Sequence, residues 1–154
     1  MNIIELYKKS NSNPWDKEPF KREFEYKDFP CIILKHPTQH HLCGYIGIYS
    51  TNGLSNMPID DINEFINIHG GFTHYDSGNN INLPITVNNK LIFWLGFDCA
   101  HYNDYVPGLE EFQQFYSYQM SIMNKENVTY KDGQFVENEL KKAIDQIIRI
   151  YGPQ

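Results

Sequence analysis

The stretch "KLIFWLGFDCAHYND", residues 90–104, decides the fold. Its first eight residues are apolar on both faces of an extended chain, which suits a central strand buried on both sides. The run ends abruptly in Asp98, Cys99, His101 and Asp104, four groups able to bind a metal or move a proton. A central strand that leaves the core into such a cluster predicts a site at one end of a sheet.

Outward from it, the N-terminal side reads as strands and turns. "CIILK" (31–35) is a short apolar run before His36-Pro37. "LCGYIGIYS" (42–50) alternates Leu42, Gly44, Ile46 and Ile48 against Cys43, Tyr45, Gly47 and Tyr49, a strand whose two glycines leave room for a close neighbour on one face. "IDDINEF" (59–65) fits a helical turn, "FINIH" (65–69) alternates as a strand, Gly70-Gly71 turns the chain, and "FTHY" (72–75) returns. "DSGNNINLPITVNN" (76–89) is a long polar excursion, the best candidate for a lid.

After Pro107 the period changes. Pro107 suits a first helical turn, with Glu110 and Glu111 near its positive end and Leu109, Phe112, Phe115 and Tyr116 at helical spacing. Asp132 can cap a last helix whose apolar stripe is Val136, Leu140, Ala143, Ile144, Ile147, Ile148 and Tyr151, ended by Gly152-Pro153. Strands first and helices last give α+β: a mainly antiparallel sheet of about four to five strands with two C-terminal helices packed on one face. Residues 1–30 read as an N-terminal helix and a Pro-containing arm that packs Trp15 and Phe20 onto the domain; 31–154 read as one α+β domain.

The charge is unevenly placed. Residues 31–122 carry two basic residues, Lys35 and Lys90, against eight acids, so the net charge of −6 sits in the middle of the chain. That argues against nucleic acid, whose binding depends on Lys and Arg neutralising phosphates. Three cysteines without a CxxC suit a reducing cytosol. No export signal or membrane span is read, which predicts a cytoplasmic protein. Composition leaves a homo-oligomer open.

"HLCGYIG" (41–47), "HGGFTHY" (69–75) and "GFDCAHYNDY" (96–105) each place a His or Cys near a strand end. If they converge, three chemistries arise. Cys43, His69, Cys99 and His101 form a Cys2His2 set for zinc, although the spacing matches no standard zinc motif, and free cysteines are more often buried small hydrophobes. Cys99 with His69 is a nucleophile and base for a hydrolase. His69, Gly70, Gly71 and Thr73 on one side and Asp98, Cys99 and His101 on the other line a ligand site covered by 76–89. Gly70-Gly71 fits an anion nest or, more simply, a turn needing positive φ. Asp98 and Asp104 can each orient a histidine; equally, Asp98 can satisfy donors at the strand end and Asp104 can belong to the turn before Pro107, the reading preferred for Asp104. His36, His40 and His41 flank a turn and read as solvated.

"CGYIGI" (43–48), "HGGFTH" (69–74), "FWLGFDCAHYND" (93–104), Pro107-Gly108 and Thr129-Tyr130-Lys131-Asp132 together resemble a widespread family of small uncharacterised phage and bacterial proteins. The resemblance runs from Lys35 to the C-terminus. It departs at His74, where Tyr is usual, and at the long loop 76–89. It implies an accessory role, such as sequestering a small nucleotide-like signal of the host. The expectation is therefore a small cytosolic binder of a small polar ligand, with a metal-assisted or Cys-dependent hydrolase and a protein-interaction module as alternatives.

Overall fold

The computed structural model describes residues 13–111 and 128–154. The helix expected near residues 2–9 and most of the one expected after Pro107 lie outside them. Six strands are described: β1 (Lys21–Tyr26), β2 (Phe29–Lys35), β3 (Leu42–Tyr49), β4 (His74–Asp76), β5 (Thr86–Val87) and β6 (Lys90–Asp98). All pairings are antiparallel, in the order β1-β2-β3-β6-β4, with β5 also on β6. The α-helices described are α1 (Ile59–Phe65) and α2 (Gly133–Tyr151). The fold is α+β, as expected, but the sheet is wider than four or five strands.

β6 is the central strand because both its faces are apolar. Leu95 and Phe97 enter the core beneath α2, while Ile92 and Trp94 enter a second core on the opposite face with Ile32, Tyr49 and Leu83. The length of α2 follows from its stripe: Val136, Leu140, Ala143, Ile144 and Ile147 are all fully buried. Asp132 caps it, its Oδ1 accepting the Phe135 N–H at 2.8 Å. Among the described residues α2 is the long helix on that face, packing on β3 and β2.

Four expectations change. First, residues 21–26 are not arm but edge strand. "KREFEY" alternates exposed Lys21, Glu23 and Glu25 with half-buried Arg22, Phe24 and Tyr26, and Lys27-Asp28 turn the hairpin with φ of 47° and 69°. Trp15 does pack on the domain, its ring 5.1 Å from that of Tyr105 and 5.4 Å from that of Tyr130, whereas Phe20 stays 66% exposed.

Second, "FINIH" is not a strand. Its backbone is satisfied by side chains of α2 instead of a ladder. Gln146 accepts the Asn67 N–H at 2.7 Å and donates to the Asn67 carbonyl at 2.9 Å, and Glu139 accepts the His69 N–H at 3.0 Å. "FTHY" therefore pairs with β6, not with 65–69.

Third, segment 76–89 is fastened to the second face. Leu83 is buried against Trp94, and the Trp94 indole donates to the Pro84 carbonyl at 2.8 Å.

Fourth, Gly44 and Gly47 lie on opposite faces. Only Gly44 admits α2: a Cβ there would stand 2.7 Å from the Phe97 ring and 2.8 Å from Val136. Gly44→Ala should therefore cost about 1–3 kcal/mol, the usual range for overpacking a core. Gly53→Ala, with open space around its Cβ position, should be near neutral. Urea denaturation of the two variants checks this; equal stability would refute the close approach of α2.

Candidate functional site

The C-terminal end of β6, the loop after it and the His69-Gly70-Gly71 turn come together. Asp104 is at their centre. Its carboxylate is fully buried and is approached by three donors. His69 Nε2 lies 2.7 Å from Oδ2 and 2.9 Å from Oδ1, the His101 backbone N–H is 3.0 Å from Oδ2, and the Lys131 ammonium is 3.1 Å from Oδ1. A carboxylate only accepts, so the proton in the His69–Asp104 contact belongs to Nε2, and neutral His69 carries its lone pair on Nδ1.

Local structure explains how Asp104 reaches this place. The Asp104 N–H donates to the His101 carbonyl at 3.0 Å, closing a turn, and Asp104 bridges to Thr129 in parallel. That bridge brings Lys131 beside the carboxylate. Lys131 also donates to the Thr129 carbonyl at 3.1 Å.

Asp98 and His101 form a second pair. His101 Nε2 is 3.2 Å from Asp98 Oδ1 but off the hydrogen-bond axis, so this buried nitrogen has no hydrogen-bond partner. Asp98 Oδ1 accepts the Ala100 N–H at 3.0 Å, so it serves the strand end as well as the histidine. The His69 and His101 rings are 5.9 Å apart. Gly70, at φ 69°, lies against the His101 ring so closely that any Cβ would overlap it. Two residues further on, Asn63 of α1 holds the Phe72 backbone from both sides at 2.8 and 2.9 Å.

The residues expected at the site divide accordingly. His69, Gly70, Asp98 and His101 converge. Thr73 reaches Asp98 through a long 3.4 Å contact. The Gly71 N–H is spent on the Ile68 carbonyl and that of Thr73 on Gly96, both at 2.9 Å, so this is a turn and not a nest built from those amides. Cys99 points into the core under α2, 1% exposed, and burial together with Asp104 pushes its thiol well up. Cys43 faces the other side of the sheet, paired across from Asp98, its thiol pushed up to about 12 chiefly by burial. Cys43 therefore does not join His69 and Cys99. Among the described residues no three His, Cys, Asp or Glu side chains are grouped to hold a metal ion. Segment 76–89 does not cover this site. It closes over Cys43 and Tyr45 instead, where a cavity of about 330 Å³ is lined also by Lys35, His36, Ile81 and Asn82.

Asp104 makes the turn preferred for it and also orients a histidine, the other role open to it. Other participants were not read as site residues. Lys131 stood in the 129–132 motif with no role read for it, and Glu139 gave no local signal, because their roles come from the tertiary approach of 128–139. His41 was read as solvated, yet it is 5% exposed, stacked on His36 at 4.9 Å, and its Nδ1 is buried without a partner.

Comparison with protein-family models, with curated proteins and with solved structures finds no match. Among the described residues no helix is long and apolar enough to cross a membrane.

Two expected outcomes follow from these burials. Asp104→Ala strands Lys131 and removes the acceptor of His69; loss of one member of a buried charge pair costs about 3–5 kcal/mol. Chemical denaturation should show that loss, and Asp104→Asn should lose less. His41 has its pKa lowered from 6.5 to about 4, mainly by burial and then by His36. The unfolded chain therefore binds this proton first, so the contribution is full above pH 6.5 and is lost as pH falls toward about 4. The loss is on the order of 3 kcal/mol. His41→Phe should flatten the fall in stability between about pH 7 and about pH 4. An unchanged slope would contradict the burial of a neutral imidazole.

Proposed function

We propose that the protein binds a small polar ligand where His69, Gly70, Thr73, Asp98 and His101 meet. The observation that carries this reading is His101 Nε2, buried beside a carboxylate and without a hydrogen bond. An orphaned polar atom of this kind costs about 1–3 kcal/mol. A chain keeps one where a bound group returns the hydrogen bond, and such groups mark functional positions. The Asn103 side-chain oxygen Oδ1 and the Tyr130 hydroxyl, on the two segments joined by the Asp104–Thr129 bridge, are in the same state.

Charge narrows the ligand. Asp104 is paired with Lys131 and Glu139 with Lys142, whereas Asp98 has only His101 beside it among the described ion pairs. A multiply charged phosphate is disfavoured there, whereas an uncharged or singly charged molecule with donors and acceptors fits. Among nucleotide-like molecules this favours nucleosides and bases. A small accessory protein that withholds such a molecule from other users is the role this supports.

Thermal unfolding against a panel of nucleosides, mononucleotides and small polar acids tests the reading. A ligand at about 100 times its Kd adds about 2.7 kcal/mol, which raises Tm by about 5–10 °C for a chain of this size. The rise should vanish in His101→Ala and persist in Cys43→Ser. No stabiliser in the panel, together with no small molecule released on denaturing freshly purified protein, would sink it.

A further inference from the structure

The His69–Asp104 contact is more than a ligand site needs. A histidine that merely donates to a ligand has no use for a fully buried carboxylate locking one ring nitrogen. Here both Asp104 oxygens approach Nε2, at 2.7 and 2.9 Å, and the carboxylate is held in turn by Lys131 and the His101 N–H. The His69 backbone is pinned to Glu139, and its ring packs edge-on to Phe97 and Phe135 at centroid distances of 6.5 and 5.2 Å. Every constraint fixes ring orientation and tautomer. The side chain nevertheless keeps 21% exposure, and Nδ1 carries no hydrogen bond among the described residues.

We infer that His69 is a general base acting through Nδ1, with Asp104 and Lys131 as positioning residues, and that the molecule bound beside it is an uncharged or cationic ester. This rests on the ligand-site reading above. As the oxygen of a water bonds to the ester carbonyl carbon, Nδ1 takes its proton. The tetrahedral adduct then breaks the carbon–oxygen bond to the alcohol, and the departing oxygen receives that proton from Nδ1. The products are acid and alcohol, and the imidazole returns unchanged. Asp104, paired with Lys131, faces the imidazolium that forms between the two transfers and stabilises it. The charge beside the site sets the substrate class, because the Asp98 carboxylate, with no Lys or Arg paired to it among the described residues, repels an anion. The thiol of Cys99 has no part, being turned into the core.

The probe is p-nitrophenyl acetate, followed over many turnovers with the full-length protein. A positioned base typically contributes on the order of 10²-fold, so hydrolysis should exceed that of free imidazole at equal concentration by about that factor. His69→Ala should fall to the imidazole level and be restored in part by added imidazole, a rescue that a structural role would not give. Nitrogen-15 NMR of the unaltered protein should find the His69 proton on Nε2 at mildly alkaline pH, with both tautomers populated in Asp104→Asn. A proton on Nδ1 overturns the inference without recourse to any variant. So does hydrolysis no faster than free imidazole, or a rate that survives His69→Ala. If a ligand still raises Tm through His101 while the ester is untouched, the catalytic inference falls and the binding reading stands.

Discussion

The site depends on one buried carboxylate. Asp104 is wholly enclosed, and it is tolerable because donors converge on it, among them His69, the His101 N–H and Lys131. Each donor comes from a different part of the chain. His69 arrives on the turn after α1, the His101 N–H on the loop after β6, and Lys131 on the segment that leads into α2. An isolated ionised group in that position would cost several kcal/mol, so the three segments hold one another in place. The geometry around His69 is thus a product of folding itself, not of a loop that settles later.

The sheet divides the molecule into two unequal halves. On one side α2 packs into the space left by Gly44, and the His69 turn is tied to that helix through Glu139 and Gln146. On the other, a smaller core around Trp94 and Ile92 is closed by segment 76–89. β2, β3 and β6 contribute to both, with successive residues on opposite faces. The alternation of β6 passes from Trp94 to Phe97 to Cys99 and so decides which polar groups at its end face which half.

Much of this was legible in the chain. The two-sided burial of 92–97, the capped helix after Asp132 and the stripe beneath it follow from period and composition. So does the clustering of Asp98 and His101 where β6 ends. What was not legible depends on partners distant in sequence. "FINIH" has strand alternation, but Gln146 and Glu139 satisfy its backbone from a helix about 75 residues away. "KREFEY" hid a strand because every second residue is charged, as edge strands often are. Asp104 looked like a turn former and is one; only the approach of Thr129 and Lys131 makes it the hub of the site. The cysteines drew attention by type, and strand parity separates them.

The two tryptophans fall at different levels of the structure. Trp94 is sealed in the second core, its indole N–H bonded to Pro84. Trp15 leans on the rings of Tyr105 and Tyr130, which flank Asp104 and Lys131 in sequence. The protein thus carries a natural optical probe near its site and a separate internal standard in its interior. With Trp94 changed to phenylalanine, intrinsic fluorescence becomes a one-colour reporter of events at the His69 end of the sheet, with no label attached.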